Sequence, residues 1–300
     1  MSGMLKRSIV LSSPCSVSLR NNQLTIAVKG SDTPASVPVE DLAVVIIENQ
    51  QVSVTMPALN AMLAQNVVVA LCDAKGMPSG LFSSLEGNSL QGERYRTQLQ
   101  ASLPSKKSIW KQIVEAKIRN QSRMLSSRGL RGELLRPYYS NVKSGDADNR
   151  EGIAAGVYWK ELFGPGFVRG RFGDAPNSLL NYGYSILRAA TARAIIAAGM
   201  LPTLGLHHKS RYNSFPLADD LMEPFRPVVD EIVARLVNLS VLELTREAKA
   251  ELINVLYADV KVDDRRHPLS MALRILCNSV KDIMSGDSNR LSVPEFCVSS

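Results

Sequence analysis

The chain has 300 residues, 45% of them hydrophobic and 21% charged, enough material for one large globular domain or two smaller ones with a sizeable core. Its 35 basic residues outnumber 28 acidic ones for a formal net charge of +7, which points to a polyanionic partner, nucleic acid before an anionic membrane surface. Cys15, Cys72, Cys277 and Cys297 stand far apart and in no ligand spacing, which excludes a structural zinc cluster and predicts free thiols in a reducing compartment. No apolar run reaches the roughly eighteen residues of a membrane-spanning helix. No signal-type apolar segment follows residues 1–6, so a cytoplasmic protein without a membrane partner is expected.

In chain order, residues 8–11, 16–19 and 24–28 are short β-rich runs separated by turn residues, the pattern of a hairpin meander. Residues 41–47 and 67–73 are continuously apolar and predict strands covered on both faces, with a short helix over 57–65 between them. Together these predict a small β-rich domain at 1–85, a polar linker at 86–93 containing Gly87 and Gly92, and a helical domain at 94–300. The fold class is α+β, with a β-sandwich-like amino-terminal domain and a larger, mainly helical one.

Between residues 94 and 143 there are twelve basic residues against two acidic ones, Glu115 and Glu133. Trp110, Ile113, Val114, Lys117 and Ile118 fall at helical spacing, while Lys107, Lys111, Arg119 and Arg123 lie partly off that apolar face. Such a helix presents cations to a phosphate backbone; a merely solvated cationic helix has the same pattern.

A loop then ends at Asp148-Asn149 and a helix begins with Glu151, Ala154, Ala155, Tyr158 and Leu162 on one face. Glu151 reads either as a site carboxylate or as the far end of an Asp148-x-x-Glu151 capping box. A long helix follows over 177–198, ended by Gly199 and Pro202; its Asn181, Tyr182 and Ser185 either line a site or serve the core. Next come His207 and His208, two of three histidines, with Asp219, Asp220 and Glu223 close behind. Imidazole nitrogen with carboxylate oxygens suits manganese or magnesium, although an Asp pair before an apolar run also caps helices. Amphipathic helices are expected over 228–242, 245–257 and 269–284, with His267 in a charged surface turn and a fraying polar tail from 285.

Taken together, Glu151-Gly152-x-Ala154-Ala155-x-x-Tyr158, Asn181-Tyr182-Gly183-Tyr184, Gly205-Leu206-His207-His208 and Asp220-Leu221-Met222-Glu223-Pro224-Phe225-Arg226-Pro227, in that order, resemble the CRISPR-associated adaptation integrase, the spacer-acquisition DNA endonuclease subunit. The form resembled accompanies type II systems. The likeness extends to the strand ending Leu71-Cys72-Asp73 and so covers nearly the whole chain.

That resemblance implies a homodimer joined through the amino-terminal domain. It further implies two such dimers bridged by a small ferredoxin-like companion protein into a heterohexamer, working with other type II adaptation proteins. It implies Mg2+ or Mn2+ held by Glu151, His208 and Glu223 as catalytic ligands, with His207 the alternative imidazole, Asp220 an additional carboxylate and Tyr158 in support. Three protein ligands readily accommodate one ion; a second ion joining with the DNA is the open alternative. The implied reaction inserts double-stranded DNA fragments into a CRISPR array: the fragment's 3′-hydroxyl attacks a phosphodiester at the repeat border. Hydrolysis is the same displacement by water. Lys106, Lys107, Lys111, Lys117, Arg119 and Arg123 on the basic helix, with Lys209 and Arg211 beside the histidines, are the expected phosphate contacts. Two rival readings are a DNA-binding protein without catalysis and a metal-dependent phosphoesterase acting on other substrates, which leaves the cationic segment unexplained.

Overall fold

A computed structural model describes residues 6–297 apart from 75, 77, 171, 172, 174, 209 and 210. The chain divides into two compact units, Met1–Ser89 and Leu90–Ser300.

The first unit contains β1 (Arg7–Leu11), β2 (Cys15–Arg20), β3 (Gln23–Val28), β4 (Ala35–Pro38), β5 (Leu42–Ile47), β6 (Ser53–Val54), α1 (Met56–Ala64), β7 (Val68–Cys72) and β8 (Pro78–Phe82). Asn21 and Asn22, with φ of 49° and 57°, make the two-residue turn of the β2–β3 hairpin; asparagine tolerates this left-handed backbone better than most residues. One sheet runs β4-β3-β2-β6 and the other β1-β5-β7-β8. The expected meander is therefore corrected at its start: β1 pairs in parallel with β5, not with β2. A parallel partner distant in sequence leaves no turn signal between the paired segments. β5 is continuously apolar because it lies between β1 and β7, and α1 belongs to the crossover that returns the chain for the parallel β5–β7 pairing. Both sheets and α1 send Val17, Leu24, Leu42, Val45, Met62 and Val69 into one core, the β-sandwich-like arrangement expected.

The second unit opens with α2 (Gln91–Gln100), which takes residues 91–93 out of the stretch read as linker. It continues with α3 (Leu103–Ser127), α4 (Arg136–Tyr139), α5 (Arg150–Phe163), α6 (Asn177–Ala197), α7 (Pro216–Met222), α8 (Arg226–Asn238), α9 (Arg246–Ile253), β9 (Asp259–Val262), β10 (Arg265–Pro268), α10 (Leu269–Ser285) and β11 (Glu295–Phe296). Ser102 caps α3 by accepting from the Ser105 amide at 3.2 Å, and Pro104 fits the first turn. The helix then buries the stripe Ile109, Trp110, Ile113, Val114, Lys117 and Ile118 and packs against α5, α8 and α10. Gly183 of α6 lets α8 come close, since a Cβ there would stand 2.5 Å from Val229 Cγ1.

Two expectations near the carboxyl-terminal end are corrected. His267 lies in β10, and the turn is made by Asp263 and Asp264, both with positive φ. The tail is tied down as far as residue 296. β11 pairs with β9, Leu291 donates its amide to Gln112 at 2.8 Å, and the Asn120 amide group donates to the Pro224 and Pro294 carbonyls at 2.8 Å each. Asn120 Oδ1 in turn accepts from the Phe296 amide at 3.0 Å. Among the described residues no helix is long and apolar enough to cross a membrane. None of the four cysteines is in a disulfide.

Candidate metal centre

The loop before α7 is organised by Asp220, which is completely buried. Its Oδ2 accepts the amides of Leu206 at 2.5 Å and His207 at 3.1 Å; its Oδ1 accepts the His208 amide at 3.2 Å and lies 2.6 Å from His208 Nδ1. A Cβ on Gly205 would stand 2.5 Å from the His208 carbonyl oxygen and 3.1 Å from Asp220 Oδ2, so only glycine fits this turn unchanged. An ionised carboxylate can only accept, so Nδ1 carries the proton it donates and Nε2 is the nitrogen left for ligation. The Asp220 hydrogen bond raises the His208 pKa above its ordinary value against the effect of burial.

On the opposite side, α5 begins at Asn149, whose side chain accepts from Gly152 at 3.3 Å, while Asp146 accepts the amides of Arg150 at 2.8 Å and Glu151 at 3.1 Å. The capping box expected from Asp148 does not form; Asp148 pairs with Lys143 at 2.9 Å. With the helix end satisfied by others, the Glu151 side chain turns to α3, and its Oε1 lies 2.5 Å from Lys117 Nζ. The same ammonium lies 2.6 Å from Glu223 Oε2, and Glu223 Oε1 lies 3.0 Å from the Arg226 guanidinium. Burial would lower the Lys117 pKa, but Glu223 and Glu151 hold it above the ordinary value, so it stays an ammonium. Burial likewise works against the Glu151 carboxylate, and Lys117 outweighs it to keep the pKa low.

Lys117 is thereby removed from the expected phosphate contacts. Its side chain is 8% exposed and paired with two glutamates, because its position four residues after Ile113 and seven after Trp110 lies on the buried stripe of α3. The other basic candidates divide. Lys106 and Arg211 line a cavity of about 400 Å³ together with His208. Lys107 and Arg119 are exposed, with Arg119 over the Tyr139 ring. Lys111 pairs with Glu115 at 3.7 Å and Arg123 with Glu295 at 3.2 Å. Lys209 lies outside the described residues.

Tyr158 is buried and donates to Asp230 Oδ2 at 2.7 Å; Tyr184 donates to the other oxygen. The Arg226 guanidinium stacks 4.7 Å above the Tyr184 ring, so a chain of contacts runs from Tyr158 through Asp230, Tyr184 and Arg226 to Glu223. Burial lifts the Asp230 carboxyl to about 6 despite both tyrosine hydrogen bonds. Sequence reading passed over Asp230, although its place among Val229, Ile232 and Val233 on the buried side of α8 marks it as an interior charge. Asn181 accepts from Arg169 at 2.7 Å, Ser185 donates to the Tyr182 carbonyl at 2.6 Å and Asp219 pairs with Arg188 at 2.8 Å, so these three serve local structure.

Among the described residues no three His, Cys, Asp or Glu side chains are gathered tightly enough to chelate an ion as they stand. The donor set nevertheless suits a hard divalent cation. Two carboxylates, one from α5 and one from the turn between α7 and α8, already converge on one positive charge, and the His208 charge acts on Glu151 as that of Glu223 acts on His208.

The family model described as CRISPR associated protein Cas1 matches residues 9–254. A CRISPR-associated endonuclease Cas1 of Neisseria meningitidis serogroup C (strain 8013) is 36% identical over 298 residues, covering 98% of this chain and 97% of that one. Among solved structures, a casposase bound to integration product superposes with a TM-score of 0.79 at 22% identity, covering 95% of this chain and 92% of that chain. A chain of a Cas6-RT-Cas1–Cas2 complex does so with a TM-score of 0.76 at 22% identity, covering 97% of this chain and 36% of that chain. The fold is thus one shared by a casposase and by CRISPR-associated proteins. With the family model and the 36% identity over nearly the full length, the chain belongs to the Cas1 family of CRISPR-associated proteins.

Proposed function

We propose that this protein is a metal-dependent DNA integrase and endonuclease that inserts foreign DNA fragments as new spacers into a CRISPR array, in the type II form its motifs resemble. The observation carrying this reading is the convergence of Glu151 and Glu223 on one buried cationic position, electrostatically coupled to a histidine whose Nδ1 is fixed by Asp220. Glu151, Glu223 and His208 Nε2 are the ligands for Mg2+ or Mn2+. When bound, the ion polarises the phosphoryl oxygen and offsets charge on the attacking and leaving oxygens.

The chain's own groups do the rest. Asp220 keeps the His208 tautomer that leaves Nε2 unprotonated. Lys106 and Arg211, on the cavity wall with His208, hold phosphates of the DNA without reading its sequence. The incoming 3′-hydroxyl gives up its proton as its oxygen bonds to the phosphorus at the repeat border, the bond from that phosphorus to the 3′-oxygen of the flanking nucleotide breaks, and the departing oxygen takes up a proton. No covalent protein nucleophile is required. The names of the solved relatives, a casposase bound to integration product and a Cas6-RT-Cas1–Cas2 complex, support DNA and a small Cas2-type companion as partners. A homodimer within a heterohexamer is the assembly proposed.

The test is integration of short duplex DNA into a supercoiled repeat-containing plasmid, with and without Mn2+. Glu151→Ala and His208→Ala are expected to abolish strand transfer. Full activity of Glu151→Ala refutes the site. A phosphoesterase of small substrates would show no steep loss of DNA binding with salt, whereas this reading requires one.

A further inference from the structure

We propose that Lys117 is the resident cation of this site: its ammonium holds Glu151 and Glu223 together in the metal-free protein and competes with the divalent ion for their oxygens. The inference rests on the metal-site reading above. Every oxygen of Glu223 is already engaged, Oε1 by Arg226 at 3.0 Å and Oε2 by Lys117 at 2.6 Å, and Glu151 Oε1 is engaged by Lys117 at 2.5 Å. An ion that takes Glu223 as a ligand must share or replace one of these cations.

Charge decides which. Glu151 and Glu223 with Lys117 and Arg226 form a cluster of two negative and two positive groups, with Glu223 2% exposed and Lys117 8%. Adding a divalent ion to that balanced cluster leaves two buried positive charges uncompensated, which is strongly unfavourable where water is excluded. Arg226 is held by stacking on Tyr184 and by an Nη2 contact to Glu223 Oε1 at 3.0 Å. Lys117 is a point charge on a flexible four-carbon stem, so it is the group that gives way. The absence of a ready-made ligand triad among the described residues fits this: the carboxylates are arranged around an ammonium. The arrangement also accounts for a lysine on the buried stripe of α3, a position that is strongly unfavourable unless the charge is paired.

The experiment is Mn2+ binding to the metal-stripped full-length protein by calorimetry, with thermal melts before and after Mn2+ addition. Lys117→Met and Lys117→Gln are compared with wild type, Lys117→Arg and Glu151→Gln. The neutral substitutions are expected to lower the metal-free melting temperature and to tighten Mn2+ binding on the order of tenfold, whereas Lys117→Arg does not tighten it. A lysine with a merely structural role would lower the melting temperature without tightening Mn2+. Equal or weaker binding by the folded neutral variants overturns the inference while leaving the metal site standing, provided Glu151→Gln weakens Mn2+. If Glu151→Gln binds Mn2+ as wild type does, the metal-site reading itself fails.

Should the neutral variants not fold, amine acylation of wild type read by mass spectrometry decides. Lys117 is expected to be protected without Mn2+ and to label faster with it. Unchanged labelling at saturating Mn2+ overturns the proposal.

Discussion

The imidazole of His207 lies flat on the indole of Trp110, ring centroids 4.4 Å apart and planes within 4° of parallel, while His208 meets the same indole edge-on at 6.0 Å. Adjacent histidines thus have different surroundings: His207 is exposed and stacked, His208 is tied to Asp220. His207→Ala is expected to leave Mn2+ affinity close to wild type and to lose only part of the strand-transfer activity. Trp110 is 1% exposed, and Trp110→Ala is expected to destabilise the protein by about 3–5 kcal/mol in denaturant melts.

Asp220→Asn keeps the shape of the loop but removes the charge that organises it. Mn2+ affinity is expected to fall about 10- to 100-fold, the usual effect of losing a carboxylate behind a ligating histidine. Asp220 raises the His208 pKa, so the stabilisation from the charged pair is complete below the ordinary histidine value of about 6.5 and is lost as pH rises through the raised value. The ion competes with the ligand nitrogen's proton, so Mn2+ binding weakens as pH falls through that range. Imidazole NMR titrations of wild type and Asp220→Asn check both, with His208 expected to titrate lower in the variant.

Asp230 gives a pH dependence from inside the core. Its carboxyl is raised from an ordinary 3.8 to about 6 by burial, so the folded protein binds a proton there more tightly than the unfolded chain does. Its stabilising contribution is complete below 3.8 and is lost as pH rises through 6, by roughly 3 kcal/mol at about 1.4 kcal/mol per pH unit. Denaturant melts between these limits are expected to show a downward slope in wild type that Asp230→Asn lacks. Tyr158→Phe removes one donor to the ionised form and is expected to move the wild-type slope to higher pH.

Gly205→Ala tests the turn beneath the histidines. The added methyl would lie 2.5 Å from the His208 carbonyl oxygen and 2.8 Å from Pro216 Cβ, so the backbone carrying His208 must shift. A cost of about 1–3 kcal/mol is expected, together with a loss of Mn2+ affinity in a protein whose circular dichroism stays native.

Much of this was legible in the sequence where one segment carries its own signal. The apolar runs that became β5 and β7, the periodicity of α3 and α8, and the spaced His, Asp and Glu motifs all announce themselves locally. Lys117 was harder to read because one lysine among twelve basic residues looks like part of a charged face. Its signal was positional: it shares the helical stripe of Trp110, Ile113 and Ile118, where a solvated cation does not belong. The parallel pairing of β1 with β5 depends on which strands end up adjacent, and short-range pattern does not encode that. Asp148 and Asp146 compete for the same cap, and only the backbone geometry around Asn149, with φ of 51°, selects between them.

The three hydrogen bonds of Asn120 bear on the order in which the helical unit assembles. They join α3 to the residue following Glu223 and to residues 294 and 296, across sequence separations of 104, 174 and 176. Loops that long close late because their entropy must be overcome before the contacts form. The turn bearing Glu223 is therefore expected to gain its final rigidity at the end of folding rather than with α3. In pulse-labelled hydrogen exchange during refolding, protection of the Phe296 amide should lag that of the α3 interior, and Asn120→Leu should abolish that protection while α3 still forms.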